Sequence, residues 1–292
     1  MEATRVIAVD LGGTKILAGL VDPGGTIERT IEHPTPVGSQ RALLDGLEAA
    51  VRALLTPDTK AAGFGVPARV DARSGEVLGA VNIPLGDLPL GDELARRLGL
   101  PVGVINDAGA AALAEARLGA GRGCSDLVML TLGTGVGGGV ILDRAVFRGW
   151  AELGHMVIVE DGEPCHGECT GRGHVEAYCS GRAADRVAER VLGTGATAHD
   201  LVAQRHPALF EIGVHLGTAI GSLINIFGPE LIVIGGGFGI AAGEILLEGA
   251  RPQIDREALE PGGPDVPVVL AELGSNAGLV GAALVAFEAL AE

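Results

Sequence analysis

Asp10 ends an apolar run directly before Gly12-Gly13-Thr14-Lys15, an order of residue types that suits phosphate chemistry. A carboxylate there can hold Mg²⁺, directly or through water, while the N–H groups of a glycine turn face an anion. Its other common use is to bond its own turn. Lys15 is placed either to reach a phosphate or to remain an ordinary surface lysine. The device recurs in mid-chain. Residues 6–22 (VIAVDLGGTKILAGLVD) and 127–143 (LVMLTLGTGVGGGVILD) align without a gap, each reading strand, Gly/Thr turn, strand, Asp. Asp10 falls opposite Thr131, Gly12 opposite Gly133 and Asp22 opposite Asp143, and Gly133-Thr134-Gly135 forms the second turn. Two matched turns point to a duplicated phosphate holder. Gly133, Gly135 and Gly138 also satisfy G-x-G-x-x-G, but that dinucleotide fingerprint needs a helix straight after the turn. Here Val140-Ile141-Leu142 continues as a strand.

Asn106-Asp107 follows an apolar run and precedes an alanine-rich one, so it marks a strand-to-helix junction. Either residue can simply cap the helix. An Asp at the C-terminal end of a core strand also lies where open α/β sheets bind ligands, and there it can take a proton from an attacking hydroxyl. A third glycine turn, Gly235-Gly236-Gly237, follows a strand over 231–234. His155, Cys165, Cys169 and His174 fall within about twenty residues, a set of nitrogen and sulfur donors suited to a closed tetrahedral Zn²⁺ site, with His166 as a competing ligand.

The elements that must position these groups follow from periodicity. Helices are expected over 40–55, 92–98, 108–118, 181–191, 215–226 and 277–291, the last with weak points at Gly278 and Gly281. Strands are expected over 61–66, 102–105, 127–130, 140–142 and 268–271, and the break at 119–125 is the best domain boundary. At 292 residues the chain is long enough for two domains, and 47% hydrophobic with 20% charged residues excludes disorder. A net charge of −16 argues against a nucleic-acid backbone as partner, because no basic surplus is available to replace counterions. A first strand beginning near Thr4 leaves no room for a signal peptide, and the apolar stretch 231–243 is too short to span a bilayer, so a cytoplasmic protein without membrane contact is expected. In such a protein Cys124, Cys165, Cys169 and Cys179 are expected to bind metal or pack rather than form disulfides.

With these motifs in hand, the chain resembles the ROK family of sugar kinases and repressors, within the actin-like ATPase superfamily, along its whole length. The resemblance rests on VDLGGTK at 9–15, GFGVPARVD at 63–71, NDAGAAALAEARLGAG at 106–121, LGTGVGGGVILD at 132–143, ELGHM at 152–156, GRGHVEAYCSG at 171–181 and VIGGG at 233–237. It implies an α/β, two-domain actin-like (ribonuclease H-like) ATPase fold with a duplicated βαβ core and an interdomain cleft for nucleotide and sugar. The domains would be 1–119 for sugar and phosphate and 120–275 for nucleotide and zinc, with a 276–292 helix returning to the first. It makes Asp107 the catalytic base and sets Asn82, Asn106, Glu152, His155 and Glu176 on sugar hydroxyls, with His155 also a zinc ligand. It puts Asp10, Gly12, Gly13, Thr14, Lys15, Gly133, Thr134 and Gly135 around the phosphates and Mg²⁺, and Gly235, Gly236 and Gly237 under the adenosine.

The implied reaction is ATP-dependent phosphorylation of a hexose 6-hydroxyl. Glucose stands first, with N-acetylmannosamine, fructose, allose, mannose or a non-catalytic sugar sensor as alternatives. ATP, Mg²⁺ and a structural Zn²⁺ are the implied cofactors, and a homodimer or homotetramer the implied assembly. The repressors of the family carry an N-terminal helix-turn-helix, whereas this chain starts its first strand at once. Three departures from the family pattern stand out: a Cys-x₃-Cys pair with His174 in place of the last cysteine, a short segment, Arg148-Gly149-Trp150-Ala151, before the ELGH motif, and Ala68 in place of the glycine usual after the proline.

Overall fold

A computed structural model describes residues 4–71, 74–80, 83–167 and 169–291; Asn82, one of the expected sugar contacts, lies outside them. In chain order the strands and α-helices are β1 (Arg5–Leu11), β2 (Lys15–Val21), β3 (Ile27–Pro34), α1 (Gln40–Leu54), β4 (Thr59–Val66), β5 (Ala68–Val70), β6 (Val77–Ala80), α2 (Leu90–Leu98), β7 (Val102–Asn106) and α3 (Asp107–Leu118). Then come β8 (Leu127–Leu132), β9 (Val136–Leu142), β10 (Ala145–Val146), α4 (Val175–Cys179), α5 (Gly181–Leu192), α6 (Ala198–Ala203), α7 (Ala208–Phe227), β11 (Leu231–Gly235), α8 (Gly237–Glu257), β12 (Val268–Leu270) and α9 (Ala277–Glu288). They form two compact units: Met1–Leu118 with Val146–Trp150 and Asn276–Glu292, and Gly119–Ala145 with Ala151–Ser275.

Each unit is built on a five-stranded sheet, ordered β3-β2-β1-β4-β7 in the first and β10-β9-β8-β11-β12 in the second. Counted from the first strand of each unit, both orders are 3-2-1-4-5. In both, the first two strands are an antiparallel hairpin and the fourth and fifth add in parallel. Parallel neighbours require crossovers through helices, which leaves the C-terminal strand ends open for a site. The two hairpins differ by one residue of register. Leu11 pairs with Ile16, enclosing four residues, whereas Leu132 pairs with Val136, enclosing three. The gapless alignment of residues 6–22 with 127–143 therefore holds along the first strands and slips by one along the second.

Packing explains most of the glycines. Ser39 caps α1 by accepting the Ala42 N–H at 3.2 Å, and that helix buries Leu43, Leu44, Leu47, Ala50, Val51 and Leu54. The α9 backbone lies directly on its neighbours: a side chain at Gly63 would strike the Ala282 carbonyl, and one at Gly281 the Ala110 carbonyl. Gly281, a weak point on propensity, is thus a point of closest approach. In the second unit α7 starts seven residues earlier than its periodicity indicates, and the whole of α8 was hidden by Gly239, Gly243, Gly249 and Pro252. Those glycines serve contact between the helices, since a Cβ on Gly249 would meet the Phe210 carbonyl of α7 and one on Gly213 the Leu246 carbonyl of α8. By length and hydropathy α7 could cross a membrane, yet Leu216, Ile220 and Leu223 are fully buried in the core of this unit. It is a core helix.

Candidate active site and metal centre

In the first unit the chemistry gathers at the C-terminal ends of β1, β4 and β7. Asp10 pairs in register with Gly65 on β4, and Gly65 with Ile105 on β7, so Asn106 and Asp107 follow just beyond the same level of the sheet. With strands about 4.8 Å apart, Asp10 and the start of α3 are separated laterally by about 10 Å. Burial pushes the Asp10 carboxyl pKa up, with Lys15 opposing. A buried carboxylate whose charge is penalised in this way is well suited to meet a cation. Gly278, at the second position of α9, leaves room for it; a Cβ there would come within 3.0 Å of Asp10 Oδ2. The turn after Asp10 is closed by Gly12 N–H donating to the Lys15 carbonyl at 2.8 Å. It is tied to the next segment by Thr35, whose Oγ1 donates to the Gly12 carbonyl at 2.7 Å and whose N–H donates to the Thr14 carbonyl at 3.0 Å. Lys15 is directed to β3, where Nζ meets Glu32 Oε2 at 2.8 Å.

The junction at β7 and α3 separates its two polar residues by task. Asn106 is the cap, its Oδ1 accepting the Gly109 N–H at 3.0 Å while its Nδ2 donates to the Ala68 carbonyl at 3.2 Å. Asp107 is the first helical residue, with Oδ1 accepting the Ala108 N–H at 2.8 Å.

In the second unit the Gly133–Gly135 turn is held from three directions. Its own bond runs from Gly133 N–H to the Gly135 carbonyl (2.9 Å), Gly181 N–H of α5 donates to the Gly133 carbonyl (2.7 Å), and Glu176 Oε2 accepts the Val136 N–H (2.9 Å). A Cβ on Gly135 would meet the Glu176 carboxylate, whereas Gly138 sits within β9 and makes room for Leu153. Gly138 is a packing residue, and a strand rather than a helix follows the turn, so the dinucleotide reading fails. A cavity of 430 Å³ opens beside the turn, lined by Gly133, Thr134, Gly181, Arg182, Asp185 and Ala198, with Gly237 and Phe238 opposite. Of the third glycine turn, Gly235 remains paired in β11, Gly236 takes φ +79 against the Leu132 backbone, and Gly237 starts α8 at the cavity wall.

His155, Cys165, Cys169 and His174 bring one donor atom each within 4.8 Å of one another. His155 Nδ1 lies 3.2 Å from His174 Nδ1 and 3.9 and 3.8 Å from the Cys165 and Cys169 sulfurs; Cys169 Sγ lies 3.6 Å from His174 Nδ1. The edges of a tetrahedron around Zn²⁺, with Zn–S about 2.3 Å and Zn–N about 2.0–2.1 Å, are about 3.4 Å between nitrogens and about 3.6 Å between nitrogen and sulfur. These four separations fit that figure. Burial pushes the Cys165 thiol up to about 11, and burial followed by the neighbouring His155 lowers the His174 pKa, so this imidazole favours its neutral, ligating form. His166 is outside the cluster, its ring against Ser180 and Arg186. Glu176 bridges the cluster and the turn, with Oε1 taking the Cys165 Sγ contact at 3.8 Å. Glu152 leads into the short 3-10 turn Leu153–His155 and is exposed.

The model of the ROK family matches residues 6–289. The chain belongs to the ROK family. It is 35% identical to a glucokinase of Streptomyces coelicolor over 97% of each chain. Among solved structures it superposes with a ROK hexokinase from Thermus thermophilus at TM-score 0.82, 33% identity and 99% coverage of both chains. It superposes equally well, at 0.82, with a ROK family glucokinase from Streptomyces griseus crystallised with glucose and AMPPNP, at 37% identity, covering 97% of this chain and 99% of that one.

The repeated 3-2-1-4-5 sheet is thus the actin-like ATPase fold of ROK proteins. Sequence reasoning passed over Arg182, Asp185, Ala198 and Phe238. A signal for the first two was present: Ser180 is a helix cap, and positions 181, 182 and 185 share one face of the helix that follows. Ala198 reaches the cavity because its N–H donates to Asp185 Oδ1 at 2.8 Å, a long-range contact without a local pattern.

Proposed function

We propose that this ROK protein is an ATP-dependent sugar kinase that phosphorylates a hexose 6-hydroxyl, with glucose its first substrate. One observation supports the role of Asp107 most directly: its carboxylate stands at the C-terminal end of β7, at the first residue of α3, beside the Asn106 that accepts the Gly109 N–H. Asp107 would accept the proton of the attacking hydroxyl, a contribution of about 10²–10⁴ to rate. Asn106 would hold a neighbouring sugar hydroxyl, as would Asn82, Glu152, His155 and Glu176. Glu176 suits this because each of its oxygens keeps a second lone pair beyond its contacts to Val136 and Cys165. The nucleotide would occupy the cavity at Gly133, α5 and α8, where the N–H groups of the Gly133–Gly135 turn would face its phosphates.

Asp10 is the group placed to hold Mg²⁺, which when bound neutralises charge on the transferring phosphoryl group. His155, Cys165, Cys169 and His174 are the zinc ligands of this reading, a closed structural site that cross-links residues 155–174 and fixes Glu176 beside the turn. A coupled ADP-release assay with Mg-ATP and a panel of glucose, mannose, fructose, allose and N-acetylmannosamine tests the proposal. It should show sugar-dependent turnover highest with glucose, in the range of about 1–100 s⁻¹ usual for kinases. ADP release that no sugar accelerates would refute it.

A further inference from the structure

Between the two cysteines of the metal centre stands a histidine that the centre does not use. The His166 ring turns to α5: its Nε2 lies 3.2 Å from Ser180 Oγ, and Arg186 Nη1 lies 3.0 Å from Nδ1 and 3.1 Å from Nε2. Both partners are themselves fixed. Ser180 is fully buried and caps α5, accepting the Ala183 N–H at 3.1 Å, while Arg186 Nη2 donates to the Ala177 carbonyl near the end of α4 at 2.7 Å. The helix start held in this way is a wall of the cavity. Gly181 N–H donates to the Gly133 carbonyl at 2.7 Å and Arg182 N–H to the Thr134 carbonyl at 3.4 Å, and all four residues line the 430 Å³ space. His166 thus joins the loop of the two cysteines, through the α5 cap, to residues that line the cavity.

Cys165 and Cys169 lie one residue before and three after His166, so any ion they share fixes the backbone that carries the imidazole. Without an ion the four donors meet through weak sulfur contacts of 3.6–3.9 Å and the 3.2 Å approach of the two imidazoles, and the backbone bonds from Cys165 N–H to the Gly171 carbonyl (3.0 Å) and Cys169 N–H to the His166 carbonyl (3.3 Å) are left to hold the segment. We propose that His166 is a positioning residue through which filling the His155–Cys165–Cys169–His174 centre raises nucleotide affinity at Gly133, Thr134 and α5. The inference rests on reading that cavity as the nucleotide site. Coupling of this kind is reciprocal, so nucleotide must raise the affinity for the ion by the same factor.

The test is equilibrium binding of a fluorescent N-methylanthraniloyl ATP to zinc-loaded and chelator-stripped protein, for the wild type, His166→Ala and His166→Gln. Stripping should weaken wild-type binding about 10-fold. Zinc-loaded His166→Ala should keep one zinc per chain by elemental analysis and yet bind about 10-fold more weakly than the loaded wild type, losing little more on stripping. In turnover its KM for ATP should rise with kcat little changed. His166→Gln, which offers an acceptor to Arg186 and Ser180, should recover most of the affinity and carries the test if the alanine variant does not fold. Loaded His166→Ala that binds as tightly as the wild type or loses as much on stripping, or loaded His166→Gln that binds about 10-fold more weakly than the wild type, would overturn the coupling alone. A wild type that binds no nucleotide in either state would overturn the kinase reading, and the coupling with it.

Discussion

Burial raises the pKa of Asp10 above the ordinary carboxylate value, so the folded chain holds this proton more tightly than the unfolded one. Stability attributable to the group is then full below the unfolded pKa and is lost as pH rises through the folded one. In the ligand-free protein at neutral pH the ionised Asp10 is a cost that a bound cation would offset. Asp10→Asn should accordingly raise the Tm of the free protein at pH 7, with the gain shrinking toward about pH 4, where Asp10 itself is protonated. Mg-ATP turnover should fall by about 100-fold or more in the same variant. Thermal melts across that pH range check the first part, and a Tm lowered at pH 7 would contradict it. At this scale the placement of Asp10 and Asp107 at strand ends, the paired glycine turns and the gathering of His155, Cys165, Cys169 and His174 are each read from type and spacing. Lys15 and His166 were open in the sequence because their partners, Glu32 on β3 and Ser180 on α5, are set by the fold.

Among the elements, those with a clean apolar face or a local cap were legible, as α1 and the β8–β9 hairpin show. The exposed edge strand β3 was not, because its solvent-facing side gives no apolar alternation. Nor was α8, whose glycines lower helix propensity while permitting contact with α7 that only the folded core rewards. The one-residue difference between the hairpins is invisible in a gapless alignment, since both turns are glycine-rich and only strand pairing distinguishes them. Close backbone approach makes a direct prediction for α9. Gly281→Ala drives a methyl group into the Ala110 backbone and should cost about 2–3 kcal/mol, read as a lower urea midpoint at unchanged slope. An unaltered midpoint would mean that α9 does not pack on α3 as described.

For the whole molecule, a net charge of −16 coexists with a proposed anionic substrate. Two sheets of one topology, each with a glycine turn after its first strand, would resolve that tension under the proposed function, because backbone N–H groups can hold phosphate without a basic surface. The duplication itself was legible; the cavity lining at Arg182 and Asp185 was not, since it depends on where α5 meets the turn. Saturating Mg-AMPPNP at about 100 times its Kd should stabilise the fold by about 2.7 kcal/mol. Hydrogen exchange should locate the slowed amides at residues 131–137, 181–186 and 236–240, with the edge strand at 27–34 unaffected. Protection spread evenly over the chain would contradict a nucleotide site at Gly133 and α5.

The measurement closest to the central claim is single-turnover phosphoryl transfer from Mg-ATP to glucose by Asp107→Asn, with glucose and nucleotide affinities measured on the same protein. The account predicts both affinities within about threefold of wild type and transfer slowed by about 10²–10⁴. Near-normal transfer in that variant would contradict Asp107 as the base.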